Sequence, residues 1–154
     1  MKPDLSKLKT SVLLQLKQEL EVRKDALNQA LNAAKESRDN ETKSSVGDKY
    51  ETGRAMAQAE VDKIKTQIQQ TANLKTQLST IDPDKQFEKV GVGSLVKTDQ
   101  KTYFISIGIG RIEIEKEEIY CISMASPIGQ LLQHKQLGEI FSFRGNEIKI
   151  CGIS

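Results

Sequence analysis

The spacing of apolar residues changes once along this chain of 154 residues, and that change constrains the fold more than any other feature. Up to Ile81, apolar side chains recur every three or four positions, the period of an amphipathic helix. From Tyr103 onward they recur at every second position, the period of a strand with one buried face. Pro83 lies at the change and disfavours helical geometry at Asp82. The pattern predicts an α+β protein with a helical domain at residues 1–81 and a small sheet domain at residues 85–154.

Two narrow apolar stripes run through the helical domain. The first stripe comprises Leu5, Leu8, Val12, Leu16, Leu20, Leu27, Leu31 and Ala34. The second, close to a heptad pattern, comprises Ala57, Val61, Ile64, Ile68, Thr71, Leu74, Leu78 and Ile81. Neither stripe can be buried by one helix alone, and the segment between them is polar and contains Gly47. We therefore predict an antiparallel coiled-coil helical hairpin with an acidic tip near residues 39–51.

The sheet domain is predicted to contain short antiparallel strands and one short helix. The strand candidates are residues 103–109, 112–115, 119–123, 137–144 and 147–153. Ser126 and Pro127 form a helix start signal, with Ser126 as N-cap and Pro127 at the first helical position. Gly138 is predicted to end this helix.

Composition excludes several classes of function and location. The net charge of +2 is small for a protein that binds nucleic acid mainly through its phosphates. No apolar run approaches the roughly 20 residues that cross a bilayer, and Met1 to Asp4 do not begin an apolar signal segment. The sequence thus predicts a cytoplasmic protein without membrane contact.

The charged and reactive side chains outside the tip are predicted to have structural roles. Cys121 and Cys151 lie in apolar, strand-like segments, which predicts buried, reduced thiols. His134 is the only histidine, which leaves little basis for histidine-dependent metal or triad chemistry. The basic residues of the first helix are predicted to form a solvated face, with a polyanionic groove or nucleic acid as the alternative partner. They are Lys7, Lys9, Lys17, Arg23, Lys24, Lys35 and Arg38.

The most specific local feature is the pair Asp48 and Glu51, with Asp39 and Glu41 on the other side of the tip. Residues three apart at a helix start have neighbouring side chains, so Asp48 and Glu51 can jointly hold one Mg²⁺. The same spacing is also a capping box, with Asp48 as N-cap and Glu51 at the third helical position. The two interpretations are compatible, and the sequence leaves both open.

Three strings of residues resemble the Gre family of bacterial transcript-cleavage factors. Residues 126–139 (SPIGQLLQHKQLGE) are similar to the family signature Ser-Pro-Leu-Gly-x-Ala-Leu-(apolar)-Gly-Lys-x-x-Gly-Asp. Residues 93–96 (GSLV) match its Gly-Ser-x-Val strand entry, and residues 47–51 (GDKYE) are similar to its Gly-Asp-Leu-Lys-Glu-Asn tip. This likeness places Asp48 and Glu51 on the two functional acids of the family.

The resemblance implies an FKBP-like C-terminal domain that docks at the secondary channel of RNA polymerase while the helical finger inserts toward the active centre. Asp48 and Glu51 would be the catalytic residues, sharing a Mg²⁺ of the polymerase, so that polymerase itself hydrolyses backtracked RNA. Ser126, Pro127 and Ile128 would contact the polymerase. The protein would be a monomer and a transcription elongation factor, not an enzyme, with no cofactor of its own and with contact to nascent RNA or DNA.

Several residues depart from the family pattern and keep two alternatives open. Lys49 stands where the family has Leu, Thr52 where it has Asn, and His134 where it has Gly. Residues 53–55 (GRA) replace Ala-Glu-Tyr, so the turn after the acid pair is more cationic. One alternative is a protein that binds in the secondary channel and regulates or inhibits transcription without cleavage. The other is a coiled-coil adaptor unrelated to transcription. A prolyl isomerase, suggested by the FKBP-like fold, would need an apolar pocket lined by aromatic residues.

Overall fold

The computed structural model describes residues 4–41 and 47–154, with side chains for residues 4–40 and 51–154. Within these residues the protein is α+β, with two long helices followed by a six-stranded sheet and a short helix. The elements are α1 (Leu5–Glu41), α2 (Gly47–Ser79), β1 (Leu95–Thr98), β2 (Thr102–Ile105), β3 (Gly110–Ile114), β4 (Glu117–Ile122), α3 (Pro127–Leu132), β5 (Ile140–Phe143) and β6 (Asn146–Ile153). The described helices include none that is long and apolar enough to cross a membrane.

The chain forms two compact units. The sheet unit comprises Met1–Lys17 and Gln77–Ser154, and the helical unit comprises Gln18–Thr76. Both long helices therefore contribute one end to the sheet unit. The predicted boundary at residues 82–84 lies in the segment between α2 and β1. The two compact units instead divide within α1 and α2.

Burial in the helical unit follows the two predicted stripes. Leu20, Val61 and Ile64 are buried, and the other stripe positions of this unit are half-buried or buried. Among the described residues, polar side chains of α1 contact α2. Lys75 Nζ donates to Glu21 Oε1, and Arg38 Nη1 donates to Gln58 Oε1 at 3.1 Å. The long helical region predicted from the apolar periodicity is confirmed.

The sheet has the strand order β3-β4-β2-β1-β6-β5 and is mostly antiparallel. One pair is an exception to the predicted antiparallel arrangement, because β2 and β4 are parallel, with Thr102 opposite Ile119 and Ile105 opposite Ile122. The connection between these two strands contains β3, which pairs antiparallel with β4 at the edge of the sheet. The chain thus passes through β3 at the edge and returns as β4 in the direction of β2. A hairpin pattern read from sequence does not reveal this order.

The core of the sheet unit contains side chains from α3 and several strands. Its buried members are Val90, Val96, Tyr103, Ile105, Ile128, Leu132, Phe141, Ile148 and Ile150. Strand β2 is buried on both faces, since Phe104 is also fully buried. Burial on both faces explains why β2 lacks the polar alternation seen in β3, where Ile112 and Ile114 are buried and Glu113 is exposed.

Cys151 is exposed, whereas Cys121 is buried, so the prediction of two buried thiols is wrong for Cys151. In β6, Ile148 and Ile150 point into the core, and a period of two places Cys151 on the opposite face. The local sequence around Cys151 is apolar, but it is the alternation within the strand that determines the face.

Helix α3 begins as predicted and ends earlier than predicted. Ser126 is the N-cap, with its Oγ accepting from the Gly129 N–H, and Pro127 occupies the first turn. The helix ends at Leu132, and His134 takes a left-handed backbone with φ +67°. The termination predicted at Gly138 is therefore wrong, because the left-handed residue that follows the helix is a histidine.

The N-terminal part of α1 packs against the end of β6. A Cβ atom on Gly152 would lie 2.8 Å from Leu5 Cδ1, and the hydroxyls of Ser6 and Ser154 are 3.2 Å apart. This close approach brings the first turn of α1 onto the sheet.

Lys9 of α1 is fully buried in the sheet unit, contrary to the solvated face predicted for the basic residues of this helix. Its Nζ donates to the Lys85 carbonyl oxygen at 2.6 Å and lies 5.2 Å from the centroid of the Phe87 ring. Burial lowers the pKa of Lys9, and the charges of Asp82 and Asp84 partly oppose this effect. Lys9 therefore holds the segment after α2 against α1.

Gly129→Ala is expected to destabilise the protein. A Cβ atom at this position would lie 2.3 Å from the Ser123 carbonyl oxygen and 2.9 Å from that of Met124, so backbone must move. Overpacking of this kind costs about 1–3 kcal/mol, which chemical denaturation measures. Gly108→Ala is the control, since the nearest atom there, the Ser123 nitrogen, is 3.9 Å away. Equal stability of the two variants would contradict the prediction.

Lys9→Met is expected to change how the free energy of unfolding depends on pH. Because the pKa of Lys9 is lowered in the folded state, the unfolded state binds more protons as the pH approaches the ordinary lysine value of 10.5. The wild type should thus gain stability relative to Lys9→Met as the pH rises from neutral toward that value. Chemical denaturation at a series of pH values measures the difference. A flat difference between the wild type and Lys9→Met across this pH range would refute the burial effect.

Candidate functional site

The predicted acid pair lies at the start of the second long helix. Helix α1 ends at Glu41 and α2 begins at Gly47, so Asp48 is in the first turn of α2 and Glu51 follows about one turn later. The Glu51 side chain is exposed. The side chains of Glu41 and Asp48 lie outside the described residues. The backbone provides the spacing that the shared-cation interpretation requires.

The start of α2 bears directly on the capping interpretation. Asp48 is the second residue of α2 as described, and its side chain lies outside the described residues. The capping box therefore stays a prediction. An acidic residue in the first turn still interacts favourably with the helix dipole.

A chain of side-chain hydrogen bonds lies near the end of α1. Arg38 Nε donates to Asp39 Oδ1 at 3.2 Å, and Arg38 Nη1 donates to Gln58 Oε1 at 3.1 Å. Gln58 Nε2 in turn donates to Asp62 Oδ1 at 2.9 Å. The Arg38 side chain is only 22% exposed, so it does not belong to a solvated face as predicted. Asp39 of the predicted acidic tip is part of this network.

The contact between Arg38 and Gln58 was not predicted, although the apolar stripe contains a signal for it. Leu27, Leu31 and Ala34 are the last members of the first apolar stripe, and the next step of four leads to Arg38. A long polar residue at a stripe position indicates a side chain that faces the partner helix. A related signal exists for Lys9, which stands one turn before the buried Leu13 and two turns before the buried Leu16.

The residues that the structure describes contain no cluster of three or more histidine, cysteine, aspartate or glutamate side chains suited to a metal. Mg²⁺ requires six oxygen ligands, and two carboxylates supply only part of this set. A metal held by two carboxylates alone takes its remaining ligands from water or from another molecule.

The predicted polymerase contact at the start of α3 has one outward-facing side chain. Pro127 is exposed, whereas Ile128 is 8% exposed and belongs to the core of the sheet unit. The Ser126 hydroxyl donates to the Ser123 carbonyl oxygen at 2.7 Å in addition to capping α3. Ser126 and Ile128 hold the local backbone, whereas Pro127 and Leu131 are exposed.

The aromatic residues of the sheet unit are used in packing. Tyr103, Phe104 and Phe141 are buried, and the Tyr103 and Tyr120 ring centroids are 6.1 Å apart. Burial raises the pKa of Tyr103, with the nearby Tyr120 contributing in the same direction. These rings fill the core, an arrangement that gives no support to a prolyl-isomerase pocket.

Neither a protein-family model nor a curated protein matches the chain.

Lys75→Gln is expected to raise the pKa of Glu21 toward its ordinary value of 4.5. The hydrogen bond from Lys75 is the largest cause that lowers this pKa, and the charge of Lys24 is the next. NMR titration of the Glu21 side chain measures the shift. Lys24→Gln, which removes a partner on the same helix, should raise the pKa by less. A larger effect of Lys24→Gln would contradict the contact between α1 and α2.

Proposed function

We propose that this protein is a Gre-like transcription factor that binds bacterial RNA polymerase at the secondary channel and stimulates cleavage of backtracked RNA. The observation that carries the proposal is the position of Asp48 and Glu51, which lie about one turn apart at the start of α2, just after the end of α1. A pair of acids at the end of long helices is suited to reach a recessed active centre. The exposure of Glu51 supports this role.

The local structure of the sheet unit supports the resemblance of residues 126–139 to the Gre signature. The Ser-Pro start forms the N-terminus of α3, and Gly129 has no space for a Cβ atom. His134 has φ +67°, a conformation that glycine adopts most easily, and the family has glycine at this position. The backbone at His134 is thus the one that the family's glycine favours.

The proposal also covers the finer architecture. We propose that α1 and α2 form an antiparallel coiled-coil hairpin, supported by the contacts Glu21 to Lys75 and Arg38 to Gln58. Glu21, which precedes Arg38 on α1, contacts Lys75, which follows Gln58 on α2. This order of contacts is the one that antiparallel helices produce. The sheet unit would be the FKBP-like domain that docks on the polymerase, with Pro127 in the contact surface. The protein would act as a monomer in the cytoplasm.

The chemistry that the acid pair would assist is phosphodiester hydrolysis with two metal ions. In such sites the ions stabilise the attacking and leaving oxygens of an in-line displacement. Asp48 and Glu51 would supply carboxylate ligands to the second Mg²⁺ of the polymerase and accept a hydrogen bond from the attacking water. The protein would thus complete a metal site on another molecule, and the polymerase would remain the enzyme.

The substitution Asp48→Ala/Glu51→Ala is expected to abolish the stimulation of RNA cleavage. The assay uses backtracked elongation complexes of the cognate polymerase with Mg²⁺ and follows RNA length on a gel. Removing the two carboxylates removes the ligands for the second metal, and loss of one such group costs about 10²-fold or more in rate where charge develops. Binding to the polymerase, measured by competition, should be unchanged.

A matched control and two contrary outcomes make this test specific. Asp25→Ala/Glu36→Ala removes the same charge from exposed positions on α1 and should leave cleavage intact. Cleavage that persists in the tip double variant would refute the role of the acid pair. A wild-type protein that binds polymerase without cleavage would instead be a channel-binding regulator, and a wild-type protein that does not bind would be an adaptor.

A further inference from the structure

The helical unit has a polar contact between its helices near the proposed acidic tip. The hydrogen bond from Arg38 to Gln58 crosses from α1 to α2, and each residue is held from its own helix by a carboxylate. Asp39 accepts from Arg38 Nε, and Asp62 accepts from Gln58 Nε2. A side chain with two fixed partners has fewer orientations available than one with a single partner. The contact therefore specifies one relative placement of the two helices.

Apolar packing in this part of the helical unit is weak. An open groove of about 350 Å³ lies beside the contact and is lined mostly by small residues. The lining residues are Ala30, Ala33, Ala34, Ser37, Ala57, Glu60 and Ile64. Small side chains do not interdigitate as Leu and Ile do. They therefore specify only weakly the register and the rotation of one helix relative to the other. The polar contact supplies the missing specificity.

The position of Gln58 on α2 relates this contact to the tip acids. Gln58 follows Glu51 by seven residues, which is close to two helical turns. The two residues therefore lie on nearly the same face of α2. Because Gln58 is fixed to Arg38, the rotation of α2 about its axis is fixed, and with it the direction in which Glu51 leaves the helix.

We propose that Arg38 and Gln58 are positioning residues that set the rotation and register of α2 and thereby aim the acid pair at the metal of the polymerase. This inference rests on the proposed function for its activity readout. The stripe position of Arg38 and its low exposure fit this role, because a residue that only bound an external anion would be free to extend into solvent.

The test compares single variants with a swapped pair. Arg38→Gln and Gln58→Arg each break the contact, whereas the double swap Arg38→Gln/Gln58→Arg restores an arginine to glutamine contact between the helices. We expect each single variant to lower the maximal rate of RNA cleavage about 3- to 10-fold, with the concentration for half-maximal stimulation unchanged. The double swap should recover the rate to within about twofold.

A control within α2 separates this effect from general loss of helix stability. Gln69→Leu removes the hydrogen bond from Gln69 to Asn73, which stays within one helix. Its cleavage rate should equal that of the wild type. Single variants that cleave at the wild-type rate, or a double swap as slow as the singles, would overturn the proposal. A change confined to the half-maximal concentration would also overturn it, since it would indicate a binding role.

A second readout keeps the inference testable if the wild-type protein proves not to stimulate cleavage. Amide hydrogen exchange of residues 30–38 and 55–62 in the free protein reports the contact directly. The single variants should exchange faster in both segments by about 10-fold, and the double swap should restore the protection. Unchanged exchange in the single variants would refute the contact. Absence of cleavage with restored protection in the swap would refute only the proposed function.

Discussion

The narrow apolar seam between the two long helices is the constraint on which the helical unit depends. Leu20, Val61 and Ile64 are buried, but beyond Leu31 the α1 side of the seam has only the small Ala34 before it reaches Arg38. A seam of small residues permits close approach and provides little specificity, so polar side chains determine how the helices meet. Arg38 and Gln58 provide that specificity near the proposed tip, and Glu21 and Lys75 provide a second contact nearer the start of α1.

In the sheet unit, apolar packing specifies the core, and a buried lysine fixes the segment after α2. Its core includes side chains from five strands and α3, and the first turn of α1 closes the end of β6 at Gly152. The segment after α2 is held by Lys9, a charge that is buried because its ammonium group has a carbonyl oxygen and an aromatic ring as partners. A buried lysine is tolerated when its donors are satisfied. Here it fixes an irregular segment that contributes few apolar side chains of its own.

Sequence reasoning found the features that depend on local patterns. The helical stripes, the alternation in β3 and the Ser126 cap follow from periodicity and capping chemistry, and all are present. The features that it missed depend on distant parts of the chain. The parallel pairing of β2 with β4 is determined by strand order, and the burial of Lys9 depends on Lys85 and Phe87.

Left-handed backbone conformations were also not predictable at positions without glycine. Glu115, Lys116 and His134 all have positive φ. For the site, the spacing of Asp48 and Glu51 was predictable, but the hydrogen bonds that orient their helix were not.

Lys49 and Arg54 both depart from the Gre pattern, and their spacing from Glu51 along the helix indicates which of them lies beside the proposed site. Lys49 precedes Glu51 by two residues and therefore lies on a different side of α2. Arg54 follows Glu51 by three residues, a spacing at which side chains on a helix are neighbours. The family has glutamate at this position, so the charge beside Glu51 is reversed. In the proposed site, a cation one turn away would attract the carboxylate that binds the metal and would also attract the phosphates of RNA. Under the proposed function, the balance between these two attractions at Arg54 would determine whether the acid pair supports cleavage or the tip only occupies the channel.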